Sequence, residues 1–156
     1  MTRWVSLGRV GLVTAAALLL SGCVPTPAPP PRTSTQQPST DQIAQAALTT
    51  GHFSLPAGAT VTAADVETGI DRLYRVSLDV PAGEVDAMLA AADFTALKPG
   101  AATMDPLPGA PTPNPPTTSS GQDRISSDQG GVWYRVVEVD RADPTVARVR
   151  LWIFTT

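Results

Sequence analysis

Proline breaks this chain twice, and only what lies outside the two breaks can build a core. Thirteen of its sixteen prolines fall within residues 24–40 and 99–116. Proline fixes φ and removes a backbone donor, so neither stretch reads as helix or inner strand. The first, VPTPAPPPRTSTQQPST, has six prolines and no large apolar residue after Val24. It is predicted to be an extended or disordered tether. At roughly 3.1 Å per residue it reaches up to about 50 Å. The second lies in a Pro/Ser/Thr-rich run, residues 98–129, expected to be a long disordered loop. Thr112, Thr117, Thr118, Ser119 and Ser120 there resemble the composition of O-glycosylated stalks. Asn114 precedes Pro115, so it offers no N-glycosylation acceptor. The remainder is one domain, 41–156, with about 80 orderable residues, enough for one modest core.

Within that domain the hydrophobic period changes along the chain. Residues 41–49 (DQIAQAALT) read as a short helix, with Ser39, Thr40 or Asp41 as N-cap. Residues 60–66 read as a weak strand. A turn at 67–70 leads to a strong strand at 73–80, where Tyr74, Val76, Leu78 and Val80 alternate with polar residues. Residues 81–93 (PAGEVDAMLAAAD) form the best helix. Proline opens it, Glu84 and Asp86 lie near its positive end, and Val85, Met88, Leu89 and Ala92 share one face. Two further strands, 132–139 and 146–155, flank a turn at 140–145. The expected fold is α+β: an antiparallel sheet of about four strands, one main helix packed on a face, in the order α-β-β-α-loop-β-β. No internal repeat is evident.

Strand alternation also divides the sheet into faces. Tyr74, Val76, Tyr134, Val136, Val149, Leu151 and Ile153 are expected toward the helix. Arg75, Trp133, Arg135, Arg148, Arg150 and Trp152 are then expected together on the opposite face. Arginine mixed with tryptophan is the composition of interface hot spots, so these six form a candidate interaction face. Alternatively, the N-terminal helix or the long loop covers that face, with arginine stems lying on the rings.

The other reactive residues suggest little chemistry. His52 is the only histidine, and Ser54 is near it in sequence, but no nucleophile-elbow motif appears. One histidine and one cysteine do not make a common zinc set, and no metal or cofactor is expected. Asp123, Asp128, Asp140 and Asp143 lack the spacing of a calcium loop and read as turn or surface acids. Glu84 and Asp86 read as first-turn helix acids. Neither G-x-G-x-x-G nor a P-loop is present.

The N-terminus says more. Arg3 and Arg9 precede an uncharged apolar run, residues 10–20. That run is shorter than the roughly 20 residues a membrane span needs, and fits the h-region of a secretory signal. Leu20-Ser21-Gly22-Cys23 follows, an aliphatic residue, two small ones and the chain's single cysteine. These four residues resemble the lipobox of bacterial lipoproteins. The resemblance covers residues 1–23 only. It implies a diacylglyceryl thioether on Cys23 and cleavage between Gly22 and Cys23. Residues 1–22 would then be a removed signal peptide, and residues 23–40 a lipidated cysteine with its tether. An ordinary cleaved signal with a chance cysteine, or an uncleaved anchor, are the alternatives. Two acyl chains meet the two-signal requirement for stable anchoring.

Removing residues 1–22 takes away Arg3 and Arg9, leaving nine basic against fourteen acidic residues, a net charge of −5. Such a chain lacks the basic footprint that nucleic acid demands. The expectation is a lipid-anchored cell-envelope protein on the extracytoplasmic side, presenting a small non-catalytic domain for protein or ligand binding. Its partners would be the membrane, through the anchor, and an envelope protein. In a two-membrane host, Val24 rather than Asp after the cysteine suggests the outer membrane, by lipoprotein sorting rules. A small envelope hydrolase with an unrecognised site, or a structural subunit of an envelope complex, are the alternatives.

Overall fold

Serine, threonine and glutamine begin the first ordered element. Ser39 caps helix α1 (Thr40–Gly51): its Oγ accepts from Gln42 N at 3.3 Å, and Gln42 Oε1 accepts from Ser39 N at 2.9 Å. This reciprocal pair satisfies two orphan donors at the helix start. The computed structural model describes residues 37–94, 97–108, 113, 115–127 and 130–156. The leader, Gly22, Cys23, the tether up to residue 36, Asn114 and Asp128 lie outside the described residues.

After α1 come strands β1 (Thr60–Thr68) and β2 (Arg72–Pro81), then a single 3₁₀ turn (Ala82–Glu84) leading into helix α2 (Val85–Ala91). Strand β3 (Lys98–Pro99) is two residues long. A second 3₁₀ turn (Pro115–Thr117) precedes β4 (Thr118–Ser127), β5 (Gly131–Asp140) and β6 (Val146–Phe154). All neighbouring strands are antiparallel, in the order β1-β2-β6-β5-β4-β3. Over the described residues the fold is thus a mixed one, with one antiparallel sheet and two α-helices. The sheet has six strands rather than about four, and β3 and β4 fall inside the stretch expected to be a loop.

β4 escapes a hydrophobic reading because TSSGQDRISS carries one large apolar residue, Ile125. Its order comes instead from backbone pairing with β5 along its whole length, Thr118 opposite Asp140 through Ser127 opposite Gly131. At the other edge, β1 carries an irregularity between Val61 and Ala63, and Thr62 Oγ1 donates to Ser77 O at 3.1 Å. Bulges of this kind blunt an edge strand.

Register sets the two faces. Tyr74 pairs with Ile153, Val76 with Leu151, Leu78 with Val149 and Val80 with Ala147. On the next strand, Arg135 lies opposite Ile153, Val137 opposite Leu151 and Val139 opposite Val149. These side chains share the helix side, where they pack with Ala44, Ala47, Leu48, Val85, Met88 and Leu89 in one core. The expectation for β5 is therefore reversed. Val137, Val139, Arg135 and Trp133 point to the helices, and Tyr134 and Val136 point away. A one-residue shift in parity moves every side chain of a strand to the other face.

The two helices end alike. In α1 the left-handed residue is His52 (φ 59°), with His52 N donating to Thr49 O at 3.3 Å and Phe53 N to Leu48 O at 2.9 Å. After α2 it is Asp93 (φ 48°), with Asp93 N donating to Ala90 O at 3.1 Å and Phe94 N to Leu89 O at 3.0 Å. Both are Schellman ends, each with leucine before and phenylalanine after the left-handed residue. Phe53 and Phe94 lie 6.2 Å apart. The guanidinium of Arg135 lies 5.2 Å from each ring.

Candidate functional site

The six residues expected on one outer face do not share it. Trp133 and Arg135 are on the helix side. Arg135 is 1% exposed, and its Nη1 donates to Gly51 O at 2.7 Å and Ala92 O at 3.0 Å, the carbonyls that end the two helices. Nε and Nη2 donate to Asp123 Oδ1 and Oδ2 at 2.8 and 2.5 Å. The sequence reading put this charge on the face away from the helices. Two helix ends and a carboxylate supply the partners that make burial tolerable.

The remaining four are on the outer face, where they are engaged. Arg75 pairs with Glu67 at 2.5 Å and Asp65 at 3.4 Å, and Arg148 with Asp79 at 3.7 Å. Arg150 makes a buried ion pair with Glu138. Trp152 is 2% exposed, and its Nε1 donates to Asp105 O at 2.8 Å. The chain after β3 crosses this face as a strap. Ala102 N donates to Glu138 Oε2 at 2.8 Å, Leu107 is buried, and Arg141 N donates to Thr117 O at 3.0 Å. Arginine and tryptophan therefore form no continuous exposed patch here.

The acids read as turn and surface groups divide. Asp143 Oδ1 accepts from Thr145 N and Oγ1, both at 2.7 Å, and from Val146 N at 3.2 Å. Those bonds, the Thr145 hydroxyl first, hold its carboxyl below the usual aspartate range. Asp140 Oδ1 accepts from Thr117 Oγ1 at 2.6 Å and Ala142 N at 3.0 Å. Asp86 pairs with Arg141 at 2.6 Å. Asp123 is the exception, as the counter-charge of a buried arginine. No group of three or more His, Cys, Asp or Glu among the described residues could hold a metal ion. No described helix is long and apolar enough to cross a membrane.

One cleft gathers groups that are not consumed in this way. It lies beyond the C-terminal end of α1, with a volume of about 350 Å³. Its walls are Thr49, Thr50 and His52 from the end of α1, Arg72 from the start of β2, and Ser126, Ser127 and Trp133 from the β4–β5 hairpin. Arg72 is fixed at the backbone: its N donates to Thr155 Oγ1 and its O accepts from Thr155 N, both at 3.1 Å. Its guanidinium donates to Tyr74 Oη at 3.4 Å. Trp133 is half-buried, tilted 35° against the Tyr74 ring at 6.2 Å. The left-handed turn at His52 brings that residue to the rim.

His52 makes no side-chain hydrogen bond to a hydroxyl or carboxylate among the described residues, and Ser54 is exposed. Arg72, Thr49 and Thr50 were not singled out in the sequence. No spacing joins them, since they lie on elements that only the sheet brings together. Comparison with protein-family models, curated proteins and solved structures finds no match to this chain.

Proposed function

We propose that this chain is a lipid-anchored envelope protein whose ordered domain is a non-catalytic binding module, and that the cleft beside Trp133 is its binding site. The anchor rests on Leu20-Ser21-Gly22-Cys23 after a short apolar run. The binding role is carried by one observation. A cleft of about 350 Å³ joins a half-buried tryptophan to a cation, an imidazole and hydroxyls drawn from three separate elements. Convergent polar groups around an apolar wall are the usual make-up of a small-molecule site. The outer sheet face is a weaker candidate, because the strap and its own ion pairs occupy it.

Two measurements test the two halves separately. Intact-mass analysis of the chain from its native host is expected to show a start at Cys23 carrying a diacylglyceryl group. A bare thiol or a retained leader overturns the anchor. Amide-shift mapping of the full chain in detergent, against a deproteinised small-molecule extract of the host envelope, addresses the module. Shifts are expected to cluster at residues 49–52, 72, 126–127 and 133. Absence of any such cluster overturns the binding site.

A further inference from the structure

We infer that the cleft selects an oxyanion, a carboxylate or phosphate group joined to an apolar body, with Arg72 binding the charge and Trp133 the body. The inference rests on the binding-module reading and names the ligand class for the same site.

Arg75, Arg135, Arg141, Arg148 and Arg150 each pair with a carboxylate. Arg72 makes no ion pair among the described residues, although it borders the cleft. Arg124 likewise makes none, and it is exposed on the outer face of β4 rather than at this cleft. Among the described residues, the cleft walls include no carboxylate. Glu67, the acid across the neighbouring hollow that Arg72 also borders, is held by Arg75 at 2.5 Å. Asp71, next to Arg72 in the chain, lies on that other hollow and is exposed.

Thr49 Oγ1 accepts from Gln45 Nε2 at 3.3 Å, which leaves its own O–H to donate. Thr50 and Ser126 hydroxyls have no hydrogen bond among the described residues. Arginine has five donors and no acceptor, and its planar fork fits a carboxylate or phosphate. Such a wall favours a ligand that accepts.

A helix C-terminus is negative and repels anions. At α1 three of the last four carbonyls are taken: Leu48 O by Phe53 N, Thr49 O by His52 N, and Gly51 O by Arg135. Arg135 is itself neutralised by Asp123, so it caps Gly51 O without adding net charge to that end. Trp133 then offers an apolar surface, so a bare inorganic anion uses only half the site.

The test titrates the full chain in detergent micelles at about 0.15 M salt, where long-range repulsion from the acidic domain is screened. The probes are benzoate, phenyl phosphate, inorganic phosphate and neutral benzamide, read by the Trp133 indole and His52 amide resonances. Benzoate, phenyl phosphate or both are expected to give saturable shifts, and which one binds tighter assigns the oxyanion. Benzamide and inorganic phosphate are expected to bind at least about tenfold more weakly than the better of these, as loss of one charge-assisted contact or of the ring contact predicts. Arg72→Gln is expected to weaken the better probe by about tenfold or more, with the remaining amide spectrum unchanged. Arg72→Lys should restore part of the affinity. Equal binding of benzamide and benzoate, an Arg72→Gln chain with unaltered affinity, or no saturable shift with any probe overturns the oxyanion assignment. A response to benzamide or to the envelope extract alone leaves the binding-module reading standing.

Discussion

Arg135 and Asp123 face each other across β5 and β4 in a two-pronged pair, Nε to Oδ1 at 2.8 Å and Nη2 to Oδ2 at 2.5 Å. The same guanidinium ends both helices through Gly51 O and Ala92 O and lies between two phenylalanine rings. One side chain thus ties the sheet to α1 and α2. Breaking a buried pair by removing one partner leaves an uncompensated charge, which costs about 3–5 kcal/mol. Asp123→Ala is expected near the lower end, since the two carbonyls remain. Arg135→Lys is expected to cost a comparable amount, because an ammonium at the end of a lysine chain cannot meet all four acceptor atoms that the guanidinium fork reaches. Urea midpoints measure both. A loss under about 1 kcal/mol would place this pair among exposed ones.

Gly51 sits in the helix with no need of a left-handed backbone, so alanine there would ordinarily stabilise by up to about 1 kcal/mol. Here the added Cβ would lie 2.5 Å from Ile153 Cδ1 and 2.9 Å from Phe53 Cδ2. Overpacking of this kind costs about 1–3 kcal/mol, so the clash is expected to win and Gly51→Ala to destabilise. Ile153→Val removes the nearest atom and costs about 0.5–1.5 kcal/mol alone. The double variant should lose less than the two singles added. Simple additivity in thermal unfolding would show that the helix end moves aside freely.

Beneath the strap, Glu138 serves two donors, Arg150 and the Ala102 amide. Glu138→Gln is expected to cost about 3 kcal/mol, because a buried guanidinium loses its counter-charge. It should also speed hydrogen exchange at Ala102. Replacing both partners, Glu138→Leu with Arg150→Met, is expected to recover most of that loss, since an apolar pair of similar volume is often neutral. A double variant as unstable as the single one would mean that the charges, not the packing, hold the strap.

The carboxylate of Asp143 accepts three hydrogen bonds at the β5–β6 turn, and its pKa is lowered. A depressed folded value gives stability that is present above the unfolded value, about pH 4, and lost as pH falls through the folded one. Carbon-detected titration should show Asp143 with a midpoint below that of a free aspartate. In Asp143→Asn the corresponding part of the acid-side slope should vanish. A midpoint at or above the ordinary value contradicts the turn geometry.

Much of the fold could be read from residue order. The alternation of β2 and β6, the Ser39 N-cap option and the apolar face of 85–92 each follow from a period and a cap. β4 could not be read this way. Its inward positions include Gly121 and Asp123, and its place is fixed by pairing with β5 and by the charge of Arg135. β5 gave an ambiguous signal because VWYRVVEV is apolar on both faces. Placing Arg135 on the face away from the helices chose the wrong parity. The interaction face lost Trp133 and Arg135 for that reason and its other four residues to ion pairs and the strap, and Arg72 was missed because only the sheet brings it to the cleft beside His52 and Trp133.

Residue order by itself determined the class of elements, the antiparallel sheet and the resemblance of residues 20–23 to a lipobox, all of which are local in the chain. Tertiary structure alone decided which face of β5 is inside, what lies under the strap, and that Thr49, Arg72 and Trp133 border one cleft. The reason is energetic: periodicity reports how much apolar surface a segment can hide, whereas the burial of a charge depends on partners that only the folded chain brings within hydrogen-bond reach.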